Sequence, residues 1–155
     1  MRRIAMSVVV GGVLATTGIS TGIAQSLDEQ KMFTPQDIKW SPGPASLPPG
    51  AQVAALYGNP TKEGLFAIRL KVPKGYHVPP HSHPKPEVAT VLSGTVRLRM
   101  GDKEHVFPAG SFYATPPGMV HQFAADEDTV IQINSTGPWG INYVNPKDDP
   151  RQKSQ

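Results

Sequence analysis

The pair His81-x-His83 constrains the fold of this chain more than any other feature of its sequence. On a β-strand, residues i and i+2 point to the same face and lie about 6.6 Å apart along the chain. Two imidazoles at that separation can reach one metal ion with bonds of ~2 Å. On a helix the same side chains would point to nearly opposite sides. The pair therefore predicts a strand that carries two metal ligands.

Two further side chains that can bind a metal, Glu87 and His121, follow the histidine pair. A straight strand would carry Glu87 about 13 Å beyond His83, too far to share the ion. Pro84 and Pro86 lie between them and predict a bend, because proline cannot donate to a strand ladder. His121 lies 34 residues after Glu87 and must come from a different strand folded back alongside. The four ligands can meet only if the sheet closes.

The spacing of these residues resembles the two motifs of the cupin superfamily. The first motif is matched at all its defining positions: Gly75, His81, His83, Glu87 and Gly94. The second is matched up to its histidine, at Gly110, Pro116, Gly118 and His121. Ala125 stands where the family has an asparagine, a position that does not bind the metal. The resemblance covers residues 75–125, and the 15 residues between Gly94 and Gly110 are similar to the short spacing of small microbial cupins.

The resemblance implies one divalent transition metal per chain. Its ligands are expected to be His81, His83, Glu87 and His121. A site of three imidazoles and one carboxylate suits Fe, Mn, Ni, Co, Cu or Zn, and without thiolate it does not resemble a closed structural zinc site. The alternative is a degenerate cupin that keeps the motifs without using the metal. His77 and His105 are interpreted as surface histidines, although His77 could line the entrance.

The first 24 residues are predicted to form a cleavable signal peptide. Arg2-Arg3 gives a positive start, residues 4–19 are apolar or small, and Gly22-Ile23-Ala24 suits a signal peptidase. A membrane-anchor helix is the alternative, but the apolar stretch is short and interrupted by glycine and threonine. General secretion is favoured over twin-arginine export, because the motif around the arginine pair is poor. The mature protein is therefore expected to be periplasmic or secreted.

The remaining 131 of 155 residues suffice for one domain with one core. Residues 25–50 are predicted to form a proline-rich arm with a single helical turn at 34–40. Residues 51–145 are predicted to form the barrel, and 146–155 a flexible tail. In related cupins such arms often support dimers, so the resemblance implies a homodimer. The arm's apolar side chains are expected to pack on the barrel or on a neighbouring subunit.

Short strands separated by glycine and proline dominate the barrel region. Strands are predicted at 52–56, 65–72, 88–92, 95–100, 104–107, 112–115, 120–123, 129–134 and 141–144. No helical periodicity appears after the signal. This pattern indicates a β-sandwich or barrel, and the metal geometry selects the double-stranded β-helix, or jelly roll, among all-β folds.

Charge and cysteine content exclude several classes of function. The signal holds two of the fifteen basic residues, so the mature chain has thirteen against twelve acids, a net charge of +1. No basic stripe points to nucleic acid or to an anionic membrane surface. The absence of cysteine excludes thiolate catalysis and thiolate metal sites. The expected partner is a small molecule rather than nucleic acid or, once the signal is removed, a membrane.

Four protein ligands on a six-coordinate ion would leave two adjacent positions for a substrate, water or dioxygen. Apolar pocket walls are predicted from Phe66, Met100, Tyr113 and Phe123. The leading hypothesis is an exported dioxygenase-type enzyme acting on a small enolic, phenolic or diketone-like compound. Similar oxygenases imply that Glu87 could also leave the metal and act as a catalytic base. The alternatives are a periplasmic protein that binds a carboxylate or sugar without turnover, and an isomerase or lyase.

Overall fold

Residues 30–152 are described by the structure, a computed structural model. Eleven strands lie in this part of the chain: β1 Ser41–Pro42, β2 Gln52–Tyr57, β3 Gly64–Val72, β4 His77–Ser82, β5 Glu87–Ser93, β6 Thr95–Met100, β7 Lys103–Pro108, β8 Phe112–Thr115, β9 His121–Ala125, β10 Thr129–Gly137 and β11 Asn142–Tyr143. Three 3₁₀ turns cover Pro35–Asp37, Pro146–Asp148 and Pro150–Gln152. Among the described helical segments, none has the length and apolarity needed to span a membrane.

The strands form two antiparallel sheets. The larger sheet has the order β1-β2-β3-β10-β5-β8, and the smaller has the order β11-β4-β9-β6-β7. Neighbours such as β10 and β3, or β9 and β6, are far apart in the chain, as expected for a jelly roll. The predicted all-β double-sheet fold is therefore confirmed, and all nine predicted strands correspond to strands of the structure.

Period-two alternation explains how the core is filled. Along β3 every second residue is buried, from Phe66 to Val72, and β10 alternates in the same way over its nine residues. The two strands pair in register from Thr129 opposite Val72 to Gly137 opposite Gly64. Their inward side chains join those of the smaller sheet, such as Leu98 and Phe123, in one apolar cluster. The core thus lies between the two sheets, together with the buried side chains of His81, His83 and His121.

A bulge in β4 aims His81 into the barrel. Val78 pairs with Phe123 and His81 with His121, so three steps along β4 oppose two steps along β9. Residues three apart on a regular strand would face opposite sides, yet Val78 and His81 are both buried. Pro79 and Pro80 occupy the irregular stretch, where proline's missing N–H is tolerated. Because of these two prolines, β4 lacks a regular alternation of apolar residues, and periodicity did not predict most of this strand.

The described part of the arm packs along the barrel. Ile38 is buried, and the ammonium group of Lys71 lies 4.8 Å from the centre of the Trp40 ring. Ser41–Pro42 pairs with β2, and Leu47 packs against the core cluster. Residues 1–29, which include the predicted signal peptide, lie outside the described residues, so that prediction is not addressed by the structure.

The flexible-tail prediction concerns residues 146–155, of which the structure describes 146–152. Two 3₁₀ turns occupy residues 146–152, and the Asn145 side chain caps the first of them by accepting from the Lys147 N–H. The Asp149 carboxylate is largely buried and forms an ion pair with the guanidinium of Arg151, with a shortest contact of 2.6 Å. Arg151 also donates to the Ile141 carbonyl at 3.3 Å. The hydrogen bond to Ile141 thus connects residues 146–152 to the chain before β11.

Substitution of Gly94 by alanine is expected to destabilise the protein more than the same change at Gly75. Both glycines have a left-handed φ, of +79° and +78°. A Cβ at Gly94 would overlap the Thr129 hydroxyl and lie 2.6 Å from the Asp128 carbonyl, whereas at Gly75 it would meet nothing within 4 Å. We expect a loss of about 1–2 kcal/mol for Gly75→Ala from conformation alone. For Gly94→Ala we expect about 3 kcal/mol or more, because overpacking is added. Urea unfolding of both variants tests this, and equal losses would contradict it.

Candidate metal centre

Four side chains from three parts of the barrel meet between the sheets. His81 on β4 and His121 at the start of β9 are cross-strand partners, with ring centroids 4.3 Å apart. His83 lies just beyond the end of β4, and Glu87 begins β5 in the other sheet. All four are at most 4% exposed. The turn through Pro84 and Pro86 makes the bend predicted from the sequence and brings Glu87 back toward the histidines.

The distances between these side chains suit one metal ion. One ring nitrogen from each histidine can be chosen so that all three lie within 4.8 Å of one another. Glu87 Oε2 lies 3.1 Å from His83 Nε2 and 3.3 Å from His121 Nε2. Ligands bound at right angles with bonds of about 2.1 Å stand about 3 Å apart. The structure therefore brings together all four residues that the sequence predicted as ligands.

Hydrogen bonds fix the tautomer of each imidazole. His81 Nδ1 lies 2.6 Å from the Pro79 carbonyl oxygen, and His83 Nδ1 lies 2.7 Å from that of Gly140. His121 Nδ1 lies 3.1 Å from the Met119 carbonyl oxygen. A carbonyl oxygen can only accept, so each Nδ1 carries the proton and donates it. Each neutral ring then presents the lone pair of Nε2. Such outer hydrogen bonds are typical of histidines that bind metals.

Glu87 Oε2 is a buried carboxylate oxygen that lacks a neutral hydrogen-bond donor within the described part of the chain. With the imidazoles neutral, it faces the Nε2 lone pairs of His83 and His121. Such a cluster of acceptors is stable only with a shared proton or a metal ion between them. The residues present therefore fit a bound divalent ion.

The ionisation of the site follows from burial and from Glu87. Burial lowers the pKa of His81 to about 3, so this ring stays neutral over the physiological range. Burial also lowers the pKa of His121, but the hydrogen bond that its protonated ring would donate to Glu87, together with the charge of Glu87, outweighs burial and raises the pKa overall. Burial raises the pKa of Glu87, and the hydrogen bonds that His121 and His83 would donate in their protonated forms more than offset burial and lower it. Glu87 is thus an anion, as ligation requires.

Tyr113 holds the second oxygen of Glu87. Its hydroxyl donates to Glu87 Oε1 at 3.1 Å, and burial together with the Glu87 charge raises the Tyr113 pKa well above its usual value. The tyrosine is thus a neutral donor that orients the carboxylate with Oε2 toward the imidazoles. Its predicted role was a pocket wall. Only the register of β8 against β5 reveals this contact: Glu87 pairs with Thr115, and Tyr113 lies two positions from Thr115, on the same face of the sheet.

Tyr113→Phe is expected to weaken metal binding by about 10-fold or more, because residues that hydrogen-bond to a metal ligand typically contribute about 10–100-fold. Tyr76→Phe is a matched control, since the Tyr76 hydroxyl donates to the Pro48 carbonyl at 2.8 Å. That change should alter stability without altering metal affinity. Competition against a chromophoric chelator measures both. Equal metal affinities for the two variants would show that Tyr113 does not orient Glu87.

A cavity of about 550 Å³ opens onto the histidines. Most of its walls are apolar and come from both sheets, including Val53, Ile68, Leu70, Val78, Ile131 and Ile133. The arm contributes residues such as Leu47, and the C-terminal segment contributes Trp139, Ile141 and Arg151. The volume is that of a pocket for a small organic molecule.

Of the predicted pocket residues, Phe123 lines this cavity and the other three do not. Phe66 is buried in the core with its ring edge against Trp139, and Tyr113 binds Glu87. Met100 ends β6 next to the turn into β7, away from the cavity lining. Trp139 and Arg151 were missed because no spacing pattern connects them to the ligands. His77 and His105 are exposed, as interpreted from the sequence.

Comparison with known proteins agrees with this geometry. A family model described as a cupin domain matches residues 68–134. Germin-like protein 3-1 of Oryza sativa subsp. japonica is 35% identical over 107 residues, which are 61% of this chain and 43% of that protein. The chain therefore spans less than half the length of this curated relative. Residues 68–134, matched by the family model, include both histidine motifs.

Solved structures share the fold at low sequence identity. The polyketide cyclase RemF of Streptomyces resistomycificus has a TM-score of 0.63 at 19% identity, with 82% of this chain and 94% of that chain covered. A putative acetylacetone dioxygenase of Methylibium petroleiphilum has a TM-score of 0.62 at 19% identity, with 79% and 86% covered. An RmlC-like cupin of Shewanella frigidimarina has a TM-score of 0.58 at 18% identity, with 71% and 94% covered.

Proposed function

Since this chain belongs to the cupin superfamily, we propose that it is a metal-dependent enzyme of the dioxygenase type. Its substrate would be a small enolic, phenolic or diketone-like compound. The observation that carries the proposal is the convergence of three Nε2 lone pairs and one carboxylate oxygen on a largely apolar cavity of about 550 Å³. An organic molecule with two neighbouring oxygens could enter by its apolar body and present those oxygens to the ion.

A divalent transition metal held by His81, His83, Glu87 and His121 would supply Lewis acidity toward an enolate and, if redox-active, electron exchange with dioxygen. Apolar walls lower the local dielectric constant and so strengthen electrostatic interactions beside the four ligands. Tyr113 keeps Glu87 turned toward the imidazoles. This contact favours a ligand role for Glu87, and its second role as a base stays a prediction.

The names of two structural neighbours support the choice of substrate class. One is a putative acetylacetone dioxygenase and the other a polyketide cyclase, and both names refer to compounds rich in carbonyl groups. Their identity to this chain is low, so they support the class of substrate and not the reaction. The dioxygenase reading needs no external reductant, because the organic substrate supplies the electrons and both oxygen atoms enter the products.

A binding role without turnover is the second candidate. Among the described residues that line the cavity, the ionisable side chains are the four ligands and Arg151, and Arg151 is already paired with Asp149. No additional acid or base of this lining is placed to move a proton. This observation favours capture of a ligand through the metal, and an isomerase, lyase or cyclase would use the same lining without dioxygen.

Oxygen uptake separates these candidates. The protein loaded with Fe(II) would be incubated with catechols, flavonols and β-diketones while oxygen and ligand are both followed. Matched loss of oxygen and ligand supports the dioxygenase. Loss of ligand alone supports an isomerase, lyase or cyclase, and calorimetric binding without any loss supports capture. Protein loaded with Zn(II), which has no redox chemistry, and the variant His121→Ala are the controls.

We also propose, from the sequence of residues 1–24, that the protein acts outside the cytoplasm. N-terminal sequencing of protein isolated from the host periplasm or medium tests this, and the expected first residue is Gln25. An intact Met1 on protein recovered from the cytoplasm would contradict it. The homodimer implied by the family resemblance stays a prediction, which light scattering of the purified protein would test.

A further inference from the structure

His83 differs from the other two imidazoles in how its ring is oriented. The Nδ1–H groups of His81 and His121 donate to carbonyls two residues earlier in the chain, those of Pro79 and Met119. The Nδ1–H of His83 donates to the carbonyl of Gly140, 57 residues later, at 2.7 Å. The orientation of His83 therefore depends on a segment that only the folded barrel brings to it.

The residue next to that carbonyl holds the same ring by its face. The Trp139 indole stacks on the His83 imidazole, with centroids 4.3 Å apart and planes 11° apart. The backbone N–H of Trp139 donates to the Pro60 carbonyl at 2.7 Å, and the indole meets the Phe66 ring edge-on at 5.7 Å. Rotation of the imidazole about its Cβ–Cγ bond would break both the stack and the hydrogen bond.

Hydrogen bonding by the Trp139 indole does not account for its position over the His83 ring. Trp139 Nε1 is buried and has no partner among the residues that the structure describes. A buried donor without an acceptor is unfavourable, so other contacts must stabilise the indole in this place. The stack on His83 and the contact with Phe66 are the ring contacts that do so.

We infer that Trp139 is a positioning residue for the metal ligand His83, acting together with the Gly140 carbonyl. The inference rests on the metal role proposed above. The same indole lines the cavity. The side chain that orients His83 is therefore also a wall next to the position where a small molecule would meet the metal.

Co(II) binding to the full chain tests the inference without any substrate. Trp139→Leu removes the flat ring and should weaken Co(II) binding by about 10–100-fold, the usual effect of losing a residue that holds a metal ligand in place. It should also change the visible absorption of bound Co(II), because His83 is free to rotate. Trp139→Phe keeps an aromatic face and should stay within a few-fold of the unsubstituted protein. Trp40→Phe is the matched control, because the Trp40 ring lies against Lys71 and not in the cavity lining, and this variant should bind Co(II) normally.

Urea unfolding of the metal-free variants separates positioning from a merely structural role. If Trp139→Leu is less stable but its folded form binds Co(II) with unchanged affinity and spectrum, the inference is overturned. If the unsubstituted protein itself binds no Co(II), the proposed metal function falls and the inference falls with it. Normal binding by the unsubstituted protein and by Trp139→Leu alike removes the inference alone.

Fluorescence gives a second readout that does not need Trp139→Leu to fold. The chain has two tryptophans, and Trp40 lies against Lys71, whose neighbours Leu70 and Val72 are the inward-facing residues of β3. Trp40→Phe leaves Trp139 as the only emitter, and Co(II) should quench most of its emission. Trp139→Phe leaves Trp40, which lies outside the barrel wall and should be quenched little. Equal quenching in the two variants would contradict the stacked position of Trp139 beside the metal.

Discussion

Replacing His83 with alanine is expected to abolish stoichiometric metal uptake while the β-rich far-UV spectrum is retained. The imidazole supplies one of four ligands, and its Nε2 lies 3.1 Å from Glu87 Oε2. Loss of a direct ligand should weaken metal binding by more than the roughly 10–100-fold that follows loss of a residue holding a ligand in place. The apolar cluster between the sheets does not include His83, so the fold should remain. Elemental analysis after dialysis against trace metal measures the effect.

His105→Ala is the matched control for this experiment. His105 is exposed on β7 and its ring contact is with Phe107, at 6.2 Å. This variant should bind one ion per chain, as the unsubstituted protein does. Full metal content in His83→Ala, with the histidine control also loaded, would mean that the ion does not depend on the proposed ligand set.

Bound metal is expected to leave the protein as the pH falls from about 7 to about 4. Ligation needs the Nε2 lone pairs, so protons compete with the ion for the imidazoles. His121, whose pKa is raised because Glu87 outweighs burial, takes up a proton at a higher pH than an ordinary histidine. His81, with its pKa lowered to about 3 by burial, does not compete until the pH is much lower. Weakening should therefore begin near neutrality, by about tenfold per pH unit for each proton displaced.

The sign of the effect on folding differs between these groups. A raised pKa in the folded state means that His121 stabilises the metal-free protein below about pH 6.5 and that this stabilisation is lost as the pH rises through the raised value. Glu87, whose pKa is lowered, stabilises the folded metal-free protein above about pH 4.5, and this stabilisation is lost in stronger acid.

Equilibrium dialysis at stepped pH tests the predicted release of metal. Retention of the full ion content at pH 4 in a folded protein would contradict a three-histidine site.

Those features of the fold that depend on local alternation could be predicted from the sequence. The inward residues of β3 and β10 alternate over nine positions, and glycine and proline mark the turns between strands. The four ligands could also be predicted, because His81 and His83 are two residues apart and the proline turn brings Glu87 back. The strand at His77–Ser82 was obscured by Pro79 and Pro80, which lie in a bulge.

The surroundings of the metal site could not be predicted, because they depend on contacts between distant residues. Trp139 stacks on His83 although the two residues are 56 positions apart in the chain. Tyr113 contacts Glu87 because of the register between two paired strands. No periodicity in the sequence reports either contact. The lining of the cavity could not be predicted for a related reason: Phe66 and Phe123 are both buried, but only Phe123 lines the cavity.

A crystal of the metal-loaded protein, measured on both sides of the absorption edge of the added metal, tests the central claim most directly. We predict one anomalous peak per chain, within about 2.0–2.3 Å of the Nε2 atoms of His81, His83 and His121 and of Glu87 Oε2. A peak bound elsewhere on the chain, or no peak at the histidines in a protein soaked with excess metal, would contradict the account.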